Sequence, residues 1–255
     1  MELFDTHCHI DFHHFDDDRD AAFERMRENS VSRIIAVSVE LEQTRRLVEL
    51  SESRDGVWFS VGIHPNHEID SEPTVQSLLS LAGHQKCVAI GESGMDFFRH
   101  RVPPDIQESR FRTHIQAAKQ LDKPVIVHMR DADEATFRIM QEEDIMTCGG
   151  IMHCFSSSLD AARQALDMGL SISFSGNVTF KNSHELRDVA AFVPDASLLI
   201  ETDAPYLAPV PQRGKRNEPS FVRHVAECIA QVRGQHVEAI AEMTTKNALL
   251  RFKLQ

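Results

Sequence analysis

Residues 3–10 read LFDTHCHI, a short apolar stretch that ends in two histidines, His7 and His9. Side chains two positions apart on a β-strand point to the same side of the sheet. We therefore expect both imidazoles to face the same way and to reach one ion. The stretch therefore predicts a strand whose last residues are candidate ligands of an ion.

The same kind of stretch, an apolar run that ends in polar residues or glycine, recurs along the chain. We predict eight strands, over residues 3–10, 32–39, 57–65, 87–94, 124–131, 150–156, 170–176 and 197–204. Several of these runs are apolar without alternation, as is typical of parallel strands that are covered on both faces. Amphipathic segments separate them, for example Phe111, Ile115 and Ala118 at helical spacing.

Strand–helix alternation repeated eight times predicts an α/β protein with a (β/α)8 TIM barrel. We expect residues 1–255 to form a single catalytic domain with an extra C-terminal helix over residues 236–252. An open doubly wound sheet is the alternative fold, but no GxGxxG motif follows a strand to support it.

Composition limits the function. The 255 residues carry a formal net charge of −12, so a long-range basic field for duplex DNA is absent. The five cysteines show no CxxC spacing, which predicts reduced thiols. We see no signal peptide and no apolar run long enough to span a membrane, and we expect a cytoplasmic protein that does not bind membranes.

The predicted strand ends carry polar residues that suit a metal site. They are His7, His9, His64, Glu92, His128, His153 and Asp203. In a TIM barrel the chemistry lies at the carboxyl ends of the strands, so these side chains should converge. A single histidine at a strand end is more often a buried core residue with hydrogen-bond partners than a metal ligand. The whole set, however, indicates a divalent metal site. Glu92 is the natural bridge between two ions, and Asp203 can hold a metal and accept a proton from water.

The motifs FDTHCHID, GIHPN, AIGESGMDF, VIVHMRDA, MHCFSSS and LLIETDAPYLAP…RNEPSFV resemble, in order, those of the TatD family of metal-dependent hydrolases. The resemblance covers essentially the whole chain. It implies a TIM barrel of the amidohydrolase superfamily, dependence on divalent metals and deoxyribonuclease activity. Many members are exonucleases on single-stranded DNA.

The imidazole and carboxylate donors suit two divalent ions (Zn, Mn, Mg or Co), and the resemblance places their ligands residue by residue. Its metal positions fall on His7, His9, Glu92, His128, His153 and Asp203, with Glu92 as the bridge. His64 matches a histidine near the substrate phosphate. Glu201 and Asp96 are expected to orient the ligands. Asn66 departs from the family pattern, in which a second histidine often occupies this position.

The loop over residues 208–219 carries Arg213, Lys215 and Arg216, which we interpret as a clamp for substrate phosphate, most firmly at Arg216. Arg130 could add another cation. A solvated run of charge is the ordinary alternative. Tyr206 and Phe98 could stack on a base or simply pack at the rim.

The sequence therefore predicts a deoxyribonuclease that acts on single-stranded DNA ends, with catalytic roles for Asp203 and Glu92, and a monomer. One alternative is a relative that cleaves a carbon ester, an amide or an aminoacyl ester. Many such enzymes have a carbamylated lysine at the strand end of Glu92, and AIGESG contains no lysine. The other alternative is a metal-stabilised binding protein without activity.

Overall fold

The computed structural model describes residues 1–254 and contains eight parallel strands that pair in chain order. The strands are β1 Leu3–Cys8, β2 Val31–Ala36, β3 Val57–Val61, β4 Cys87–Asp96, β5 Val125–Arg130, β6 Gly150–Met152, β7 Ser171–Phe174 and β8 Leu198–Ile200. The last strand returns to the first: the His9 amide donates to the Ala204 carbonyl at 2.7 Å, and the Asp203 amide donates to the His7 carbonyl at 2.9 Å. The predicted (β/α)8 TIM barrel is confirmed.

Helices surround the barrel. In residues 1–254 they are α1 Arg19–Glu28, α2 Thr44–Glu52, α3 Val75–Leu81, α4 Pro104–Leu121, α5 Asp133–Glu142, α6 Leu159–Asp167, α7 His184–Phe192, α8 Val222–Arg233 and α9 Val237–Arg251. The predicted stripe of Phe111, Ile115 and Ala118 lies on α4 and is fully buried. It packs in the apolar core between helices and sheet. The helix α9 corresponds to the helix predicted over residues 236–252.

Most strands end earlier than the sequence predicted. For example, β6 stops at Met152, although we predicted a strand over residues 150–156. The backbone of Cys154 (φ 45°) and of Asp203 (φ 57°) is left-handed, a conformation that cannot continue an extended strand. The polar side chains after β6 and β8 are therefore carried by turns at the barrel mouth.

Two glycines allow β4 and β5 to approach closely around Glu92. A Cβ atom on Gly94, which has φ 153°, would lie 2.0 Å from the carbonyl oxygen of His128. A Cβ atom on Gly91, which has φ 131°, would lie 2.6 Å from the carbonyl oxygen of Ile126. The pairing register also shifts between Ile90 and Ser93. Glycine thus permits the irregular strand that carries Glu92 beside β5.

The closed order of the strands fixes which loops face each other. In a ring of eight strands, β1 and β8 are neighbours, and β4 and β5 lie on the opposite side of the mouth. The loops after β1 and β8 therefore face the loops after β4 and β5. All five cysteines are free thiols. In the described part of the chain, no helix combines the length and apolar character needed to cross a bilayer.

Candidate metal centre

A cleft of about 630 Å³ opens at the carboxyl ends of the strands. Five of the six predicted metal ligands line it, namely His9, Glu92, His128, His153 and Asp203. The sixth, His7, is fully buried. The residues that the sequence singled out on distant strands therefore meet at one mouth of the barrel.

A first group of donor atoms surrounds the two histidines of the opening stretch. The Nε2 atoms of His7 and His9 are 3.4 Å apart. Glu92 lies 3.8 Å from His7 Nε2 through Oε2 and 3.7 Å from His9 Nε2 through Oε1. Asp203 Oδ1 lies 3.8 Å from His7 Nε2 and 3.6 Å from His9 Nε2. Two imidazole nitrogens and two carboxylates thus face a common centre.

A second group lies on the other side of Glu92. His128 Nδ1 and His153 Nε2 are 3.1 Å apart. Glu92 Oε2 lies 3.6 Å from the former and 2.8 Å from the latter. The carboxylate of Glu92 is therefore shared by both groups, which is the position of a bridging ligand.

Neighbouring groups determine which ring nitrogen of each histidine is available. His9 Nδ1 donates to the Val37 carbonyl at 2.9 Å, which leaves Nε2 free to face the centre. Glu201 Oε1 lies 3.3 Å from His153 Nδ1, and Asp96 Oδ2 lies 3.2 Å from His128 Nε2. Such carboxylate–histidine contacts fix the tautomer and the ring orientation of metal ligands.

The electrostatics of the site follow from burial and from the close carboxylates. Although burial opposes it, the carboxylates of Asp203 and Glu92 raise the pKa of His9 to about 9. Burial holds the pKa of His7 well below its usual value. Burial also acts to raise the pKa of Glu92, but the imidazoles of His153 and His128 keep that pKa well below its usual value. Without a cation, the centre therefore combines an ionised Glu92 with a neutral His7 and a protonated His9, and a cation bound there would displace the proton of His9.

Two buried atoms at the centre lack hydrogen-bond partners in residues 1–254. They are His7 Nδ1 and Glu92 Oε2, the latter close to His153 Nε2 but not aligned for a hydrogen bond. Buried polar atoms are rarely left without a partner, so an unpaired carboxylate oxygen here indicates a missing electrophile. Imidazole and carboxylate donors suit borderline divalent ions such as zinc. The residues fit divalent cations.

Arg216, which the sequence analysis assigned to substrate phosphate, does not line the cleft. Its Nη1 donates to Asp18 Oδ1 at 2.6 Å and its Nη2 donates to Asp18 Oδ2 at 2.9 Å. Its guanidinium also lies over the ring of Phe15, with Cζ 4.3 Å from the centroid. The geometry therefore favours a contact between two loops over a contact with phosphate.

The other two cations of that loop also lie outside the cleft lining. Arg213 stacks on the ring of Phe180, with Cζ 3.8 Å from the centroid, and Lys215 Nζ donates to Gln212 Oε1 at 2.9 Å. These side chains thus contact other loop residues in this structure, and the phosphate clamp stays a prediction. Arg130, by contrast, lines the cleft, as does His64.

Two cleft arginines were missed by the sequence analysis. Arg99 and Arg101 line the cleft from the loop between β4 and α4. A signal was present, since the run FFRHR at residues 97–101 follows GESGMD directly. Burial and the neighbouring His128 lower the pKa of His64 to about 3, so this imidazole is neutral. The cleft thus combines carboxylates at its base with arginines at its rim.

A TIM barrel with a buried histidine–carboxylate centre at its mouth defines the class of metal-dependent hydrolases. A family model described as TatD related DNase matches residues 4–253. The chain belongs to the TatD family of metal-dependent hydrolases. The resemblance seen in the motifs is therefore confirmed.

Relatives along the whole chain agree with this assignment. The chain is 42% identical over 253 residues to the uncharacterized metal-dependent hydrolase YabD of Bacillus subtilis, covering 99% of both chains. It is 32% identical over 258 residues to the 3'-5' ssDNA/RNA exonuclease TatD of Salmonella typhimurium, again covering 99% of both. Among solved structures, the TatD homologue YJJV of Escherichia coli K12 superimposes with a TM-score of 0.91 at 30% identity, covering 99% of this chain and 98% of that one.

Proposed function

We propose that this protein is a phosphodiesterase that uses two divalent metal ions to cleave single-stranded nucleic acid at its ends. The observation that carries the proposal is the position of Glu92. Its carboxylate lies within 3.8 Å of donor nitrogens on both groups of histidines. A carboxylate in this position can bridge two divalent ions, which supports a two-metal mechanism of hydrolysis.

The ligands divide into two sets around Glu92. His7, His9, Glu92 and Asp203 would hold one ion, and Glu92, His128 and His153 would hold the other. Divalent ions bound there would polarise a phosphoryl oxygen and lower the pKa of water to near neutrality.

The chain's own residues accept the proton and orient the ligands. The side chain of Asp203 is 15% exposed and lines the cleft, so it can meet a water molecule that enters with substrate. We assign its second carboxylate oxygen, Oδ2, as the acceptor of the proton from that water. The hydrogen bond from His9 to Val37 and the contacts of Glu201 and Asp96 hold the three imidazoles in place.

Two features support a nucleic-acid substrate. Arg99, Arg101 and Arg130 line the cleft, and arginine binds phosphate through charge-assisted hydrogen bonds. The Salmonella typhimurium relative is named as an exonuclease on single-stranded DNA and RNA. The net charge of −12 disfavours broad contact with a duplex, so a strand end inserted into the cleft fits better.

The test begins with metal analysis of the purified protein, followed by removal of metal with a chelator. Zinc, manganese, cobalt or magnesium is then returned singly, and labelled single-stranded DNA, duplex DNA, RNA and an aryl ester are offered. We expect two ions per chain and cleavage of single strands that depends on the returned metal. The labelled products give the polarity of digestion.

Glu92→Gln should abolish this activity and reduce the metal content. Glu227→Gln on α8 is the matched control, because it makes the same change at a half-exposed site that pairs with Arg223. Cleavage of the aryl ester without cleavage of any phosphodiester would support the carbon-ester alternative. A full metal complement with no hydrolysis of either would support a binding protein.

A further inference from the structure

The rim of the cleft is chemically divided. Phe12 and Tyr206 line the side formed by the loops after β1 and β8, and we call this pair the aromatic rim. Arg99, Arg101 and Arg130 line the side formed by the end of β5 and the loop after β4, and we call them the arginine rim. Because these loops lie on opposite sides of the closed barrel, the metal centre lies between the two rims.

The arginine rim lacks carboxylate partners in the described part of the chain. At the same mouth, Arg216 is paired with Asp18 and Arg46 is paired with Asp11. Among residues 1–254, by contrast, the three arginines of the rim form no ion pair with a carboxylate. Unpaired cations that line a cleft in a protein with a net charge of −12 indicate an anionic ligand.

The backbone that carries the arginine rim is held in place. Asp96 Oδ1 accepts hydrogen bonds from the amides of Phe98 at 2.9 Å and Arg99 at 3.2 Å. Asn66 Oδ1 accepts from the amides of Arg101 at 2.9 Å and Val102 at 3.3 Å. The loop is therefore fixed before any ligand binds, and the same Asp96 also contacts His128 of the centre.

Arg130 is positioned by a different contact. Its Cζ atom lies 3.7 Å above the centroid of the Phe98 ring, a cation–π contact. Phe98 itself is 56% exposed. One face of this ring is thus covered by the guanidinium, which leaves Phe98 poorly placed to stack on a base within the cleft.

The aromatic rim offers the better surface for a base. Phe12 stacks on the ligand His9, with ring centroids 4.6 Å apart. Tyr206 is 47% exposed, and its ring lies edge-on to His9 at 6.4 Å. Tyr206 is thus the exposed ring of this pair, Phe12 being partly buried against His9, and an exposed aromatic ring is a common platform for bases of single strands.

We propose that a single strand lies across the mouth in a fixed direction, with a base against the aromatic rim and its further phosphates on the arginine rim. This inference rests on the proposed function. It predicts that the two rims recognise different parts of the substrate. The contribution of each rim can then be measured with substrates that lack the bases or the further phosphates.

Three substrates distinguish the rims. A ten-residue thymidylate strand has bases and many phosphates, a ten-residue abasic deoxyribose-phosphate strand has phosphates alone, and the dinucleotide TpT has bases and one phosphate. The variants are Arg99→Gln with Arg101→Gln for the arginine rim, and Tyr206→Ala for the aromatic rim. Arg27→Gln, at the opposite end of the barrel, is the control, and Tyr206→Phe, which keeps the ring, is the conservative variant.

We expect the double arginine variant to lower kcat/KM about tenfold on both ten-residue strands and to leave TpT within about twofold. The negative slope of log(kcat/KM) against log salt should become shallower by about 1.4, since each phosphate contact with a single strand contributes about −0.7. Tyr206→Ala should lower kcat/KM about tenfold on thymidylate and on TpT, but not on the abasic strand. Arg27→Gln should match the parent protein, and Tyr206→Phe should restore most of the kcat/KM that Tyr206→Ala loses on thymidylate and TpT, because it keeps the ring.

The outcomes separate the two proposals. Failure of the parent protein to cleave any of the three substrates would overturn the proposed phosphodiesterase function. Cleavage with equal losses on all three substrates, or with no losses in either variant, would overturn the division of the rims and leave the function standing. Phe98→Ala is compared with Tyr206→Ala on the same substrates. If Phe98→Ala, and not Tyr206→Ala, lowers kcat/KM only on the substrates that have bases, the division of the rims is also overturned.

Discussion

Arg216 and Asp18 form a bidentate ion pair that joins the loop after β8 to the residues just before α1. Asp18 also accepts from Arg25, and Arg25 binds Glu218 on the loop after β8. The guanidinium groups lower the pKa of Asp18 to about 2. The charged residues of the RNEP motif thus serve here to connect two loops that border the metal centre.

We therefore expect Arg216→Gln to reduce stability by about 1 kcal/mol, because a networked bidentate pair at a half-buried site is lost. Urea unfolding of Arg216→Gln, Asp18→Asn and the double variant gives the coupling energy. The two single losses should not add. A rise in KM for single-stranded DNA without a change in stability would instead support the predicted contact of Arg216 with phosphate.

Gly94→Ala should destabilise the protein by about 3 kcal/mol or more, because the new methyl group would meet the His128 carbonyl oxygen at 2.0 Å. Gly169→Ala is the matched control. Gly169 has φ 71°, and nothing lies within 4 Å of a Cβ atom there, so only the backbone cost of about 1–2 kcal/mol applies. Thermal or urea unfolding of both variants would measure the difference, and equal losses would contradict the close approach of β4 and β5.

His114 should make the protein less stable in acid. It is fully buried, its Nδ1 donates to the Arg110 carbonyl at 2.7 Å, and its Nε2 accepts from the Ile63 amide at 3.1 Å. Burial lowers the pKa of His114 from 6.5 to about 4. Between these values the unfolded chain binds more protons than the folded one, so the stabilising contribution is complete above pH 6.5 and is lost as pH falls towards 4.

Because of His114, the free energy of unfolding is expected to be about 2 kcal/mol lower at pH 5 than at pH 7. Urea unfolding at both values, with chelator present so that metal binding does not contribute, would measure it. His114→Gln should show a smaller difference between the two pH values than the parent protein. His236→Gln makes the same substitution at an exposed site, and a similar effect there would contradict the assignment to His114.

Glu201→Gln should weaken metal binding at the second group by about tenfold, since the anionic partner of a histidine ligand is lost. Glu201 Oε1 accepts from the Cys154 amide at 2.8 Å and lies 3.3 Å from His153 Nδ1. Competition with a chromophoric chelator would measure zinc affinity in the variant and in the parent protein. Unchanged affinity would show that Glu201 only shapes the turn after β6.

The sequence by itself determined the barrel and the chemistry at its centre. Apolar runs that end in polar residues, separated by amphipathic segments, leave few alternatives to a parallel barrel, and their polar ends must then meet at one mouth. The convergence of His7, Glu92 and Asp203 follows from local patterns of this kind, because each position at a strand end is encoded by neighbouring residues and a closed barrel brings the strand ends together.

Only the tertiary structure decided the partners of charged residues on the loops. Nothing near Arg216 in sequence indicates that Asp18, far along the chain, neutralises it. Conversely, Arg99 and Arg101 look like ordinary loop residues until Asp96 and Asn66 fix their backbone at the cleft. A long flexible side chain takes the nearest opposite charge in space, and distance in space is set by the packing of the loops, which local sequence patterns do not contain.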